Sequence, residues 1–325
     1  MNKMEGGELR IVFMGTADFA VASLQALCNN GFNVVAVITA PDKPAGRGLK
    51  LSESPVKKYA MEKGLPILQP EKLKNPLFID ELKAYQADVQ VVVAFRMLPE
   101  WVWRMPPLGT INIHASLLPQ YRGAAPIHWA IINGEKETGV TAFKLQHEID
   151  TGNILWQEKI SIDDDETTGS VYERLKVLGA EVLIKTMQQL IAGTLKEQTQ
   201  LSIIHYPLST LKHAPKIFTQ HCIINWTNCA QKIFNLIRGL SPHPGAITYL
   251  EGKVLKIYSA KIEYATPIIL AGQWQTDNKT YLYFACADGF ISLLDIQLEG
   301  KKRMLIEDFL RGYRFNEKTK KTSSS

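Results

Sequence analysis

The chain has 325 residues, 46% of them hydrophobic and 21% charged, with a formal net charge of +5; at about 150 residues per domain this is two domains, with enough chain to bury a core without a metal or disulfide staple. No apolar run approaches the roughly 18 residues of a membrane span, and MNKMEGGELR lacks the apolar stretch of a secretory signal. Four cysteines without CxxC spacing (Cys28, Cys222, Cys229 and Cys286) point to a reduced, cytoplasmic setting and set aside disulfide scaffolds and zinc ribbons.

In chain order, Leu9–Met14 and Val34–Thr39 are short β-branched runs, with helical spacing between them over Asp18–Asn29 at Phe19, Leu24, Leu27 and Cys28. Asn30-Gly31 stops that helix. Ser54-Pro55 opens another, with Ser as N-cap and Pro in the first turn, and Gly64 closes it. Asp88–Ala94 is a fully buried strand by its valines, Gly109–His114 is a further strand, and Val140–Gln146 another. A long helix covers 168–192 and ends at Gly193. This alternation predicts a Rossmann-like, mostly parallel α/β sheet with helices on both faces.

Beyond it, 194–222 has mixed polarity and little periodicity and reads as a linker. A helix is expected over 227–238, then strands at 247–250, 254–262, 280–285 and 290–297 separated by turn residues. That spacing suits a small antiparallel, OB-like β-barrel. The expected domains are therefore 1–193 and 223–315, with a disordered tail over 316–325. Charge divides the same way: residues 1–195 carry 20 basic and 22 acidic side chains, residues 196–325 carry 17 and 10. A basic second domain fits a polyanionic partner as well as a merely solvated surface.

The chemistry concentrates in three places. After the first strand, FMGTADF offers only Gly15 where a dinucleotide fold has GxGxxG, which disfavours a nicotinamide or flavin oxidoreductase. In TINIHASLLPQYRGAAPIHWA (110–130), Asn112 and His114 stand two apart at the carboxyl end of a strand and share a face, where open α/β sheets build their sites. Asp150, in EIDTGNI, is either an Asx-turn or a carboxylate that orients His114. There is no GxSxG elbow, no HExxH and no cysteine motif, so neither a covalent nucleophile nor a metal has a candidate. What remains is direct transfer between two bound substrates, with an oxyanion stabilised and one proton handled.

The run INIHASLLPQYRGAAPI, the DTG with its aspartate, and the loop APDKPAGRGLKLSESPVK (40–57) together resemble the methionyl-tRNA formyltransferases. The C-terminal RGLSPHPGA and GKKRMLIEDFLRGYR extend the resemblance over about residues 8–315. The Asn–His–SLLP–Asp set alone is shared by the wider class of 10-formyltetrahydrofolate-dependent formyltransferases. The resemblance implies transfer of a formyl group from that folate to the free α-amino group of methionyl-initiator tRNA, by a monomer without a metal. It implies that Asn112 and His114 bind the formyl oxygen as charge develops, that Asp150 keeps His114 protonated, and that Ser116, Leu117, Leu118 and Pro119 lie against the folate. It further implies that Lys43, Arg47 and Lys50 meet the tRNA. Two departures stand out: AFRMLPE (94–100) replaces a Tyr-Gly-containing segment at the folate cleft, and Asn153 stands where a second aspartate is common. The rival readings are a formyltransferase acting on a small amine, such as a ribonucleotide or amino sugar, and a tRNA-binding module without activity.

Overall fold

The computed structural model describes residues 8–45, 50–203 and 210–315. They form two compact units, the first comprising 1–123, 138–160 and 172–213, the second 124–137, 161–171 and 214–325. In chain order the first stretch runs β1 (Arg10–Gly15), α1 (Asp18–Asn29), β2 (Asn33–Ile38), the hairpin strands β3 (Lys43–Ala45) and β4 (Lys50–Ser52), α2 (Pro55–Glu62), β5 (Ile67–Leu68), α3 (Pro76–Ala84) and β6 (Val89–Val93). It continues with α4 (Glu100–Trp103), β7 (Thr110–His114), β8 (Arg122–Gly123), α5 (Pro126–Ile132), β9 (Glu137–Lys144), β10 (Ile154–Ser161) and α6 (Thr168–Ala192).

Seven of these strands make one sheet in the order β10-β9-β7-β6-β1-β2-β5. The central pairings β2–β5, β1–β2, β1–β6 and β6–β7 are parallel, and β9 joins antiparallel to β7. The mostly parallel sheet expected from the alternation is present. Every side chain of β6 is buried, as its valine run requires. One face packs Val12, Met14, Ala36, Ile38 and Val92 against Phe78, Leu82 and Val102. On the other face, Gly179 of α6 lies against Phe19 and Ile113. Because strand side chains alternate, Ile111 and Ile113 anchor β7 on the α6 side while Asn112 and His114 project from the opposite face. Gly15 ends β1 under tight packing: a Cβ there would sit 2.6 Å from the Ala20 Cβ and 3.1 Å from the Val93 carbonyl oxygen. The turn's single glycine is thus explained by close strand–helix approach. Ser54 caps α2, its hydroxyl accepting from the Lys57 N–H at 3.0 Å.

The remaining elements are a 3₁₀ turn at Gln200–Ile203, β11 (His213–Ala214), α7 (Thr219–Cys222), α8 (Ala230–Gly239), β12 (Ala246–Leu250), β13 (Lys253–Glu263), β14 (Trp274–Thr276), β15 (Leu282–Ala285), β16 (Phe290–Leu298), β17 (Met304–Leu305) and α9 (Ile306–Gly312). Six strands form the second unit's sheet, ordered β12-β13-β16-β15-β14 with β17 on β16. Its pairings are antiparallel, and it curls as a half-barrel rather than closing. Register irregularities at Ile257–Ala260 supply local twist. Ile233 and Ile237 of α8, Leu255, Ile257, Phe284, Ile291 and Phe309 share its core. The helix expected at 227 begins at Ala230, because Asn225 and Thr227 close an Asx turn first and the Ala230 N–H donates to Asp288 at 2.7 Å. The short strands β14 and β17 and helix α9 escaped the sequence reading.

Within this unit α5 packs on α8 where Gly239 leaves room for Ile132, and the His128 ring donates to the His243 carbonyl at 3.3 Å. Burial holds His128 below the ordinary imidazole range. The unfolded chain then binds more protons than the native one below about pH 6.5, so stability falls on acidification through that value. Urea titrations at about pH 7.5 and about pH 5.5 should show this loss, and His128→Asn should shrink it; an equal loss in the variant would assign it to other groups.

Candidate active site

His114 is the last residue of β7 and is 7% exposed. Its Nε2 lies 2.9 Å from the Tyr121 carbonyl oxygen. A carbonyl can only accept, so Nε2 carries a proton. Nδ1 faces the Asp150 Oδ2 at 3.8 Å, too long for a hydrogen bond. Both ring nitrogens thus face oxygen atoms. The Phe143 ring stands edge-on to the imidazole, with centroids 6.4 Å apart. Asn112, half-buried two residues back on the same face, makes no side-chain hydrogen bond within the described residues. An amide left without a protein partner beside a histidine fits an oxygen acceptor brought by a substrate.

Asp150 arrives by a less direct route. Register places Lys144, the end of β9, opposite Ile111 and Thr141 opposite His114. The chain after Lys144 must therefore double back along β7 to bring its carboxylate to His114. Asp150 does so at φ +54, a left-handed conformation that Asp tolerates better than most residues. Gly152 follows under close approach, since a Cβ there would lie 1.7 Å from the Lys144 carbonyl oxygen. The Asp150 carboxylate accepts from the Gly123 N–H at 2.9 Å. Thr151 ties the turn to the Glu148 carbonyl at 3.0 Å.

The sequence reading named Ser116, Leu117, Leu118 and Pro119 as a folate-facing segment. Ser116 is fully buried and its hydroxyl donates to the Gln120 carbonyl at 2.7 Å, and Leu118 packs with Phe143 and Ile154. Thr141 accepts from the Leu118 N–H and donates to the Ser116 carbonyl, while Gln157 donates to Leu118 and Thr141. Pro119 is buried and Leu117 half-buried. These bonds hold the segment as a braced loop, with Leu117 packed close to Gly139 of β9. In the departing AFRMLPE segment, Arg96 donates to the Glu71 carbonyl at 2.8 Å and also to that of Pro70, and Phe95 packs into the sheet's apolar cluster. Met97 is 73% exposed at the same end of the sheet.

The loop at 40–57 has a built stem. β3 and β4 pair Lys43 with Ser52 and Ala45 with Lys50. At its base Asp42 accepts from Lys57 and from Gln69 at 2.9 Å, contacts that draw its carboxyl below the ordinary range, and Thr39 bonds Ser54 at 2.7 Å. Lys43 is exposed; the Lys50 side chain and Arg47 lie outside the described residues. Among those residues no group of His, Cys, Asp or Glu is placed to hold a metal, and no helix is long and apolar enough to cross a membrane.

Sequence reasoning missed Gln200, 3% exposed in the 3₁₀ turn. It donates to the carbonyls of Asp150 at 2.8 Å and Gly152 at 2.9 Å and accepts from Arg122 at 2.6 Å and 3.1 Å. Gln198 pairs with Ile154 in both directions, and Glu197 accepts from Lys144 and Asn153, each at 3.0 Å. These bonds, Asn153 first, hold the Glu197 carboxyl below its ordinary range. No periodic signal marks this stretch.

The formyl transferase family model matches residues 9–187, and the model of the formyl transferase C-terminal domain matches 216–314. The methionyl-tRNA formyltransferase of Phocaeicola vulgatus is 53% identical over 98% of this chain and 99% of its own. That of Bacteroides thetaiotaomicron is 49% identical over 97% and 98%. Among solved structures, a sugar 3N-formyl transferase, WlaRD, determined with dTDP and 5-N-formyl-THF, is similar at TM-score 0.64 and 22% identity over 90% of this chain and 99% of that one. HypX from Aquifex aeolicus in complex with tetrahydrofolic acid matches at TM-score 0.62 and 17% identity, over 95% of this chain and 48% of its own. This chain belongs to the formyl transferase family.

A side chain at Gly152 must displace the Lys144 backbone. Gly152→Ala should cost about 10²-fold in kcat by misplacing Asp150; a steady-state assay checks it, and a variant near wild-type rate would show that the turn adapts.

Proposed function

We propose that the protein transfers the formyl group of 10-formyltetrahydrofolate to the free α-amino group of methionyl-initiator tRNA, giving N-formylmethionyl-tRNA and tetrahydrofolate. The observation that carries this reading is the roughly half identity to methionyl-tRNA formyltransferases along nearly the full length of both chains, the C-terminal domain included. The basic balance of residues 196–325, 17 basic against 10 acidic side chains, is in keeping with a polyanionic substrate.

The site supports direct transfer. The neutral amine attacks the formyl carbon, a new N–C bond forms, and the bond from that carbon to N10 of the folate breaks. One proton leaves the amine and one reaches N10. The Asn112 amide, without a side-chain hydrogen bond among the described residues, donates to the formyl oxygen as negative charge develops there. Nδ1 of His114 is the ring's second donor, since Nε2 is tied to Tyr121. The Asp150 carboxylate, with Oδ2 at 3.8 Å from Nδ1, orients the ring and takes up the amine proton through water. The main chain of 116–119 and Leu117 border the folate.

The division of labour is residues 1–193 for the folate and aminoacyl sites, 194–222 as the connection and 223–315 for tRNA. Lys43, Arg47 and Lys50 of the 40–57 loop meet the acceptor end by phosphate contacts, which position the substrate and make affinity fall with salt. The protein works in the cytoplasm as a monomer, each copy carrying both domains that one tRNA needs.

Formyl transfer from 10-formyltetrahydrofolate should be measured with methionyl-initiator tRNA, free methionine and glycinamide ribonucleotide as parallel acceptors. Transfer to the charged tRNA alone is expected; transfer only to a small amine would move the chain to the rival class that shares this fold. His114→Ala should lose at least about 10²–10³-fold in kcat, and a variant within about tenfold of wild type would remove His114 from the chemistry. Arg47→Ala should raise KM for tRNA and flatten its salt dependence while folate binding stays unchanged; equal loss of both would refute the loop's role.

A further inference from the structure

We propose that Gln200 is a positioning residue that holds Asp150 in its working conformation. The inference rests on the reading of Asp150 given above and extends it to a residue 50 positions further along the chain. One carboxamide head reaches both sides of the carboxylate's support. Its Nε2 donates to the carbonyls of Asp150 and Gly152, the two peptide groups that define the left-handed turn. Its Oε1 accepts twice from Arg122, the neighbour of Gly123, whose N–H holds the carboxylate itself.

Both N–H groups and both oxygen lone-pair positions are thereby used, and the residue is 3% exposed, so water does not substitute for any of the four bonds. An Asp at positive φ relaxes toward negative φ unless its surroundings hold it. Such a relaxation swings the carboxylate off the line to Nδ1 of His114. Gln200 opposes this by fixing the carbonyl of Asp150 rather than its carboxylate, whose Oδ2 is held by the Gly123 N–H toward His114. No other side chain offers two coplanar donors and an acceptor at this length. Glutamate keeps the bond to Arg122 and sets a third oxygen against two carbonyls; leucine keeps only the volume.

The test measures kcat, KM for both substrates, and the pH profile of kcat for Gln200→Glu and Gln200→Leu, each alone and combined with Asp150→Asn. As single variants they should lose about 10–100-fold in kcat, with KM for the folate within about twofold, the size of effect expected for a misplaced catalytic group. The limb of the pH profile that depends on Asp150 should shift. In the Asp150→Asn background the same substitutions should cost less than about twofold, because residues acting through one group are not additive. Equal losses in both backgrounds, a loss confined to KM, an unshifted profile, or single variants within about twofold of wild type would overturn the proposal. Failure of both variants to fold would overturn it too, assigning Gln200 to stability. Should Asp150→Asn alone retain full activity, the reading of Asp150 fails instead, so the two failures are distinguishable.

Discussion

The hydrogen bond from the Gly123 N–H to the Asp150 carboxylate is the contact on which the site depends. It joins the loop that follows β7 to the turn that follows β9, two segments on different strands of one sheet. β7 delivers His114 through its period of two, and Tyr121 in the first loop fixes which ring nitrogen points outward. The carboxylate comes from a chain that must reverse on itself. A backbone donor is well suited to such a task, since it has no rotamer to lose and the sheet holds its position.

The same economy recurs in the segment between. Of the four side chains of 116–119 three are buried, and Thr141 and Gln157 staple the loop's main chain. A loop braced through its main chain is stiff, because its position does not depend on side-chain rotamers. The paired strands β3 and β4 follow an opposite logic, presenting exposed Lys43 next to a base locked by Asp42, Lys57 and Gln69.

Much of this was legible from residues alone. Strand alternation placed Asn112 and His114 on one face, and the buried valines of β6 announced a parallel sheet, because both signals are local and periodic. The helix at 168–192 was clear over its whole length for the same reason. The geometry that gives Asp150 its role was not legible: nothing in EIDTGNI states that β9 runs antiparallel or that Lys144 ends opposite Ile111. Gln200 was hidden more deeply, since its partners lie up to 78 positions away and its own neighbourhood has no repeat. The short strands β14 and β17 were missed because two or three residues carry no alternation to detect.

The surroundings of Asn153 suit an amide. Its amide donates to Glu197 at 3.0 Å. An aspartate in its place would set two carboxylates against each other, with only Lys144 nearby to relieve them. A stretch that looks like unconstrained connecting sequence is thus bound, through one amide, to the turn that carries Asp150.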